Sequence, residues 1–246
     1  MLVRLLQILT VFLVAGSAAM AGPWPRAEDG VFLSFSGERD RDGNSYVSLY
    51  GEYGLSPRST LGFELGRSNA DESSVTLWWQ RALDRGQGPN RWTISTGIGM
   101  LDRKHEYLPL AQMGAAWGRG LDTIPWLRRL PGGGWLAAEL RIKVAGATKD
   151  QAETQELAAA DASFLAYITP ETVAKSELTF GWHATDSLML INQLQLEDRD
   201  DTGFSSKLAI SGVRDLWGPA KLELGVIAPL SGSGEVAVKL GSWLEF

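Results

Sequence analysis

Apolar residues fall on every second position over most of this chain. Val31, Leu33 and Phe35 interleave with Ser34 and Ser36, and Leu61, Phe63 and Leu65 flank Gly62, Glu64 and Gly66. Farther on, Leu136, Ala138, Leu140, Ile142 and Val144 oppose Glu139, Arg141 and Lys143. Leu178, Phe180 and Trp182 oppose Glu177, Thr179, Gly181 and His183. Successive side chains of a strand point to opposite faces, so this period predicts strands with one apolar face. Twelve such segments can be read, the sixth of them (residues 107–118) poorly patterned. Helical periodicity is scarce.

One-sided alternation fits two all-β architectures. A soluble periplasmic sandwich would turn the apolar face inward. A transmembrane barrel turns it toward lipid and keeps the polar residues in its lumen. Here the second face carries mostly Gly, Ser, Thr and Gln with scattered charges of both signs. Small residues suit a confined lumen better than a solvated surface. The expectation is therefore a closed antiparallel up-and-down transmembrane β-barrel of about twelve strands, within a range of ten to fourteen.

An even strand count places both chain ends on the periplasmic side. Counting inward from each end makes "SPRS", "DRGQGPN", residues 119–133, "TDS" and "LWGP" periplasmic turns. Residues 147–173 are read as one long external loop, because a thirteenth strand there would make the two halves disagree. Its Ala and Glu content, and "TPE" at residues 169–171, suggest a partly helical loop. Fourteen strands, with a partner strand inside 119–133, is the main alternative.

Composition adds the compartment. Arg4 precedes an apolar run from Leu5 to Val14, and Ala19 and Ala21 supply the small-x-small cleavage pattern. That run is short of the roughly 20 apolar residues of a spanning helix. Residues 1–21 are thus expected to be a cleaved signal peptide, and residues 22–246 a single barrel domain. The sequence has no Cys, hence no disulfide and no thiolate metal site. A net charge of −6 argues against a nucleic-acid partner.

The alternation also selects the candidate chemistry. Inward acids would be Glu52, Glu64, Glu139, Glu177, Glu197, Glu223 and Glu245; inward bases would be Arg141, Lys143, Lys207, Lys221 and Lys239. Near-balanced charges in a narrow lumen are expected to pair, since an unpaired buried charge is costly. Glu64, Glu139, Arg141 and Lys143 are the constriction candidates, joined by His183, Lys239 and Trp243 as further lumen residues. Tyr46, Tyr50 and Trp78 add an aromatic stretch suited to a sugar or an aromatic compound. A narrow passive channel, or a structural surface barrel with a plugged lumen, follows from such an interior.

Two sharper readings compete with ordinary turns. His183 lies near Asp186 and Ser187, as a hydrolase triad requires, but Asp and Ser are also common turn formers. Asp40, Asp42 and Asn44 resemble the start of a calcium loop, yet Ser45 and Gly51 occupy its glycine and glutamate positions. No catalytic residue, metal or cofactor is assigned from these patterns.

The final strand completes the picture. "VKLGSWLEF" brings Val238, Leu240, Leu244 and Phe246 onto one face, interrupted by Ser242. With the leader, the alternating strands and the absence of Cys, it resembles the closing strand of Gram-negative outer-membrane β-barrel proteins of the porin and channel kind. The resemblance implies an outer-membrane location, contact with lipid bilayer and lipopolysaccharide, and recognition by the barrel-assembly machinery and periplasmic chaperones. Leu240, Leu244 and Phe246 would carry that assembly signal.

Overall fold

The structure, a computed structural model, describes residues 22–70, 72–86, 88–103, 105–130, 132–148, 168–200, 203–232 and 234–246. Among the described residues twelve strands follow one another: β1 (Val31–Asp40), β2 (Ser45–Ser56), β3 (Ser59–Ser68), β4 (Glu72–Ala82), β5 (Asn90–Arg103) and β6 (Glu106–Gly120) form the first half. The second half is β7 (Gly134–Thr148), β8 (Ile168–Thr185), β9 (Leu188–Arg199), β10 (Gly203–Asp215), β11 (Ala220–Ser231) and β12 (Ala237–Glu245). Each pairs antiparallel with its neighbours in sequence, and β12 pairs with β1 to close a barrel. The seam is finished by Val31 and Phe246, whose amides each donate to the other's carbonyl, at 3.0 and 2.9 Å.

Closure answers a physical demand. Hydrocarbon offers no partner to a free sheet edge, so a sheet that spans a membrane must close on itself. The outer face is apolar to match: Leu77, Ile98, Met113, Leu178, Leu224 and Leu240 stand exposed around it. Leu224 pairs in register with Leu240 on one side and Gly212 on the other, in the middle of this belt. Leu224→Arg is expected to cost about 2–4 kcal/mol, the range for a cation at mid-bilayer depth. Urea titration of folding into lipid vesicles measures it; an unchanged midpoint would remove Leu224 from the lipid face.

The two rims differ. One, here the terminal rim, holds the start of β1, the end of β12 and the turns predicted to be periplasmic. Outward aromatics gather there. Trp92 and Trp117 lie 6.4 Å apart, Trp79 donates to Ser59 Oγ at 2.6 Å, and Tyr53 donates to Asp29 at 2.7 Å. Trp182 and Phe246 complete the band, which fits an interfacial girdle. On the opposite, far rim Tyr107 and Phe204 are the exposed aromatics at the starts of β6 and β10.

Two expectations need correction or qualification. The sequence pattern puts an external loop at 147–173, whereas β7 runs to Thr148 and β8 already begins at Ile168. The predicted helix start at Thr169–Glu171 is strand, with Pro170 opposite Gly146 and Glu171 opposite Ala145. Pairing with β7 overrides the local helix preference, and a Pro near the start of a strand is tolerated. Residues 149–167 and the leader, 1–21, lie outside the described residues.

Candidate functional site

The inward face of β7 presents Trp135, Ala137, Glu139, Arg141 and Lys143 in order from the terminal rim. Arg141 is the centre of a charge cluster. Its guanidinium binds Glu139 two residues back, by Nη2 and by Nε at 3.0 Å. It also reaches across the lumen to Glu64 Oε2 of β3 at 3.5 Å, where Lys143 Nζ arrives at 3.6 Å. All four predicted constriction residues therefore meet. Each ion offsets part of the desolvation cost of another, which lets charge persist in a narrow interior.

A second cluster forms on the opposite wall. Lys239 binds Glu223 at 3.0 Å, and the Trp243 indole donates to the same carboxylate at 3.1 Å. Back beside β7, Glu177 of β8 accepts from Gln193 at 2.8 Å and from Thr179 at 2.9 Å. Nearer the far rim, Lys175 and Arg199 bind Glu197 at 3.0 and 3.6 Å.

Two aromatic rings are laid flat on the wall by glycines. Trp78 covers Gly62, its register partner, so closely that a side chain at Gly62 would fall 2.1 Å from the ring. Trp135 covers Gly181 in the same way, at 2.3 Å. Bulk therefore lies against the sheet and space remains at the centre. A cavity of about 350 Å³ opens there, lined by Tyr50, Trp78, Gln112, Glu139 and Arg141 among others. A second, of about 210 Å³, continues toward the far rim past Lys175, Glu197 and Lys207. Glu139, Arg141 and Glu177 border both, so the two cavities adjoin beside the Arg141–Glu139 pair.

Toward the terminal rim the lumen fills. Phe32, Trp135, Met189, Ile191, Val213 and Trp243 form a buried apolar cluster inside the barrel, with Trp24 packed against it. Residues 22–30 turn up into this end. Pro23 is fully buried, and Pro23 and Trp24 lie against Gly118. Arg26 binds Glu52, binds Glu245 at 3.0 Å, and stacks over Phe32 at 4.4 Å. The Arg26 amide donates to Thr60 at 2.9 Å, and Tyr50 donates to Glu52 at 2.5 Å. Below this layer a separate cavity of about 340 Å³ opens at the rim.

The remaining sequence candidates fall outside the Arg141 cluster. His183 faces inward but sits at the terminal rim, 5.9 Å from Trp135, with Nδ1 buried and without a partner among the described residues. Asp186 and Ser187 are exposed turn residues, and among the described residues no hydrogen bond joins either to His183. Asp40 accepts from the Asn44 amide at 2.8 Å and its side chain at 2.7 Å, with Gly43 at φ 91°. These residues shape a hairpin turn, and no group of three or more His, Asp or Glu among the described residues is placed to hold an ion.

Sequence reasoning missed residues 22–30 and the inward apolar cluster. A signal for the second existed. Apolar residues run without alternation at Val31–Phe32–Leu33, at Trp135–Leu136 and from Leu188 to Ile191, all near the terminal rim.

No protein family's sequence model matches the chain, and no curated protein is significantly similar to it. Solved structures are. The NanC porin superposes over 87% of this chain and 100% of its own, with a TM-score of 0.56 at 10% identity. An outer-membrane channel from Pseudomonas putida F1 gives 0.56 at 9% identity, over 95% and 100%. The KdgM porin in complex with disordered oligogalacturonate gives 0.54 at 7%, over 87% and 99%. The likeness is one of fold. The chain has the closed barrel of outer-membrane porins and channels, with its own lumen.

Proposed function

We propose that the protein is an outer-membrane barrel that serves as a narrow passive channel for small polar solutes. One observation carries this reading: two adjoining cavities lined with polar and paired charged groups, both bordered by Arg141, Glu139 and Glu177. The apolar belt, the aromatic rim and the porin-like fold support the location. The leader and a lipid-facing Phe246 support export and recognition by the assembly machinery, with the terminal rim toward the periplasm. We read the chain as non-catalytic, a reading supported by the porins and channels whose fold it shares.

The lining narrows the solute class. Around the central cavity stand four acids, Glu64, Glu139, Glu177 and Glu223, and two bases, Arg141 and Lys239. That balance disfavours an acidic polymer such as the oligogalacturonate bound by one neighbour, and favours a neutral or cationic solute. Tyr50 and Trp78, 5.9 Å apart, offer it an aromatic face.

Purified protein in planar bilayers is expected to give small, discrete conductance steps. The filled terminal rim favours a second reading, a structural barrel with a plugged lumen. Folded protein that inserts yet gives no steps would establish that reading and sink the first.

A further inference from the structure

Glu139 of β7 lies directly opposite Glu177 of β8 in the register. Like charges in that relation repel. Their neutralisation is incomplete. Arg141 is shared between Glu139 and Glu64, and the hydrogen-bond partners of Glu177 among the described residues, Gln193 and Thr179, are neutral. The central cavity is short of a cation.

Gly22 faces that deficit. Its carbonyl accepts from Gln80 Nε2 at 2.5 Å, and the buried Pro23 fixes the residue after it. A side-chain atom at Gly22 would stand 3.9 Å from Glu139 Oε2. Gly22 borders both the central cavity and a smaller one of about 130 Å³, and Glu139 and Glu177 line both. An amino nitrogen on the same Cα swings to that carboxylate by rotation about one bond. Gly22 is also the first residue after the expected cleavage point.

We propose that the free α-ammonium of Gly22, created by removal of the leader, is a built-in cation of the lumen that pairs with Glu139 and Glu177. Hydrolysis of the Ala21–Gly22 peptide bond by an envelope signal peptidase consumes one water. It leaves a carboxylate on Ala21 and an amine on Gly22, which takes up a proton. An α-amine titrates near 7.7–8.0, so it is mostly charged at neutral pH even without a partner. Processing then does more than release the chain: it supplies the charge that locks residues 22–30 into the barrel. The inference rests on cleavage after Ala21 and is independent of whether the lumen conducts.

Amine accessibility tests it. Protein purified from outer membranes is first sequenced from its N-terminus, and Gly22 is the expected first residue. It is then treated in detergent at pH 7 with an N-hydroxysuccinimide ester, and labelling of the tryptic peptide 22–26 is followed by mass spectrometry. In the folded barrel the α-amine is expected to react at least tenfold more slowly than in urea-unfolded chain. Glu177→Gln, and the pair Glu139→Gln with Glu177→Gln, should speed labelling several-fold while the barrel keeps its heat-modifiable gel mobility. A different first residue, or equal rates in folded and unfolded protein, overturns the proposal. So does protection unchanged in both variants. The folded-to-unfolded ratio needs no variant, so a misfolded mutant leaves the test intact. Labelling does not depend on conduction, so failure here and failure of the channel reading are told apart.

Discussion

Deleting residues 22–29, so that the mature chain starts at Gly30, is expected to raise single-channel conductance at least threefold. The segment occupies the lumen where the barrel is most filled. Pro23 and Trp24 lie against Gly118, Arg26 ties Glu52 to Glu245, and the Ala27 carbonyl packs into the space left by Gly54. Removing it widens the terminal end without touching a strand. The cost falls on the carboxylates it leaves behind. Glu52 is buried, and losing one member of a buried ion pair typically costs about 3–5 kcal/mol. Glu245 keeps a weaker partner in Lys221, at 3.8 Å. Pairing the deletion with Glu52→Gln removes the stranded charge and should restore thermal stability without lowering the conductance. Arg26→Gln is the milder variant and should give a noisier, intermittently wider pore. Planar-bilayer recording decides. Unchanged conductance in the deletion would show that Phe32, Trp135 and Trp243 seal the lumen by themselves, and would count against the segment as the main obstruction.

Much of the barrel was legible because its physics is local. Alternation along a strand fixes which side chain faces lipid, and a one-residue slip would invert every face. Hence Glu139, Arg141 and Lys143 could be placed inward from sequence, and parity located the terminal-rim turns. That these side chains converge with Glu64 needed the closed sheet, since β3 and β7 are far apart in sequence and meet only across the lumen. The misread stretch, 168–173, fails for the same reason. Thr169–Glu171 resembles a helix start, while the bonds that make it strand come from β7. Residues 22–30 carry no period at all. Their position is set by contacts with β2, β3, β4 and β12, which composition cannot announce. The inward Phe32, Trp135, Met189 and Val213 break the rule that a lumen is polar. They do so because this end of the barrel is packed like a core.

Replacing Arg141 with Gln is expected to shift ion permeation through the barrel strongly toward cations. The side chain borders both cavities and is the one cation bound to both Glu139 and Glu64 among the described residues. Without it the central cavity keeps Glu64, Glu139, Glu177 and Glu223 against Lys239 and the proposed Gly22 ammonium. A ring of acids in a low-dielectric lumen attracts cations and repels anions. The potassium-to-chloride permeability ratio, read from the reversal potential in a salt gradient, should rise several-fold. The shift should shrink at high salt, where ions screen the ring. Lys143 lies 3.6 Å from Glu64 and limits the change there, so most of it should come from Glu139 and Glu177. Stability should fall by about 1–3 kcal/mol, less than for a fully buried pair, because water reaches this cluster. Arg141→Lys separates charge from geometry. A lysine keeps the charge but cannot grip Glu139 and Glu64 at once as the planar guanidinium does. It should preserve the ion selectivity and lose part of the stability. An Arg141→Gln barrel with wild-type selectivity would place the ion path away from this cluster.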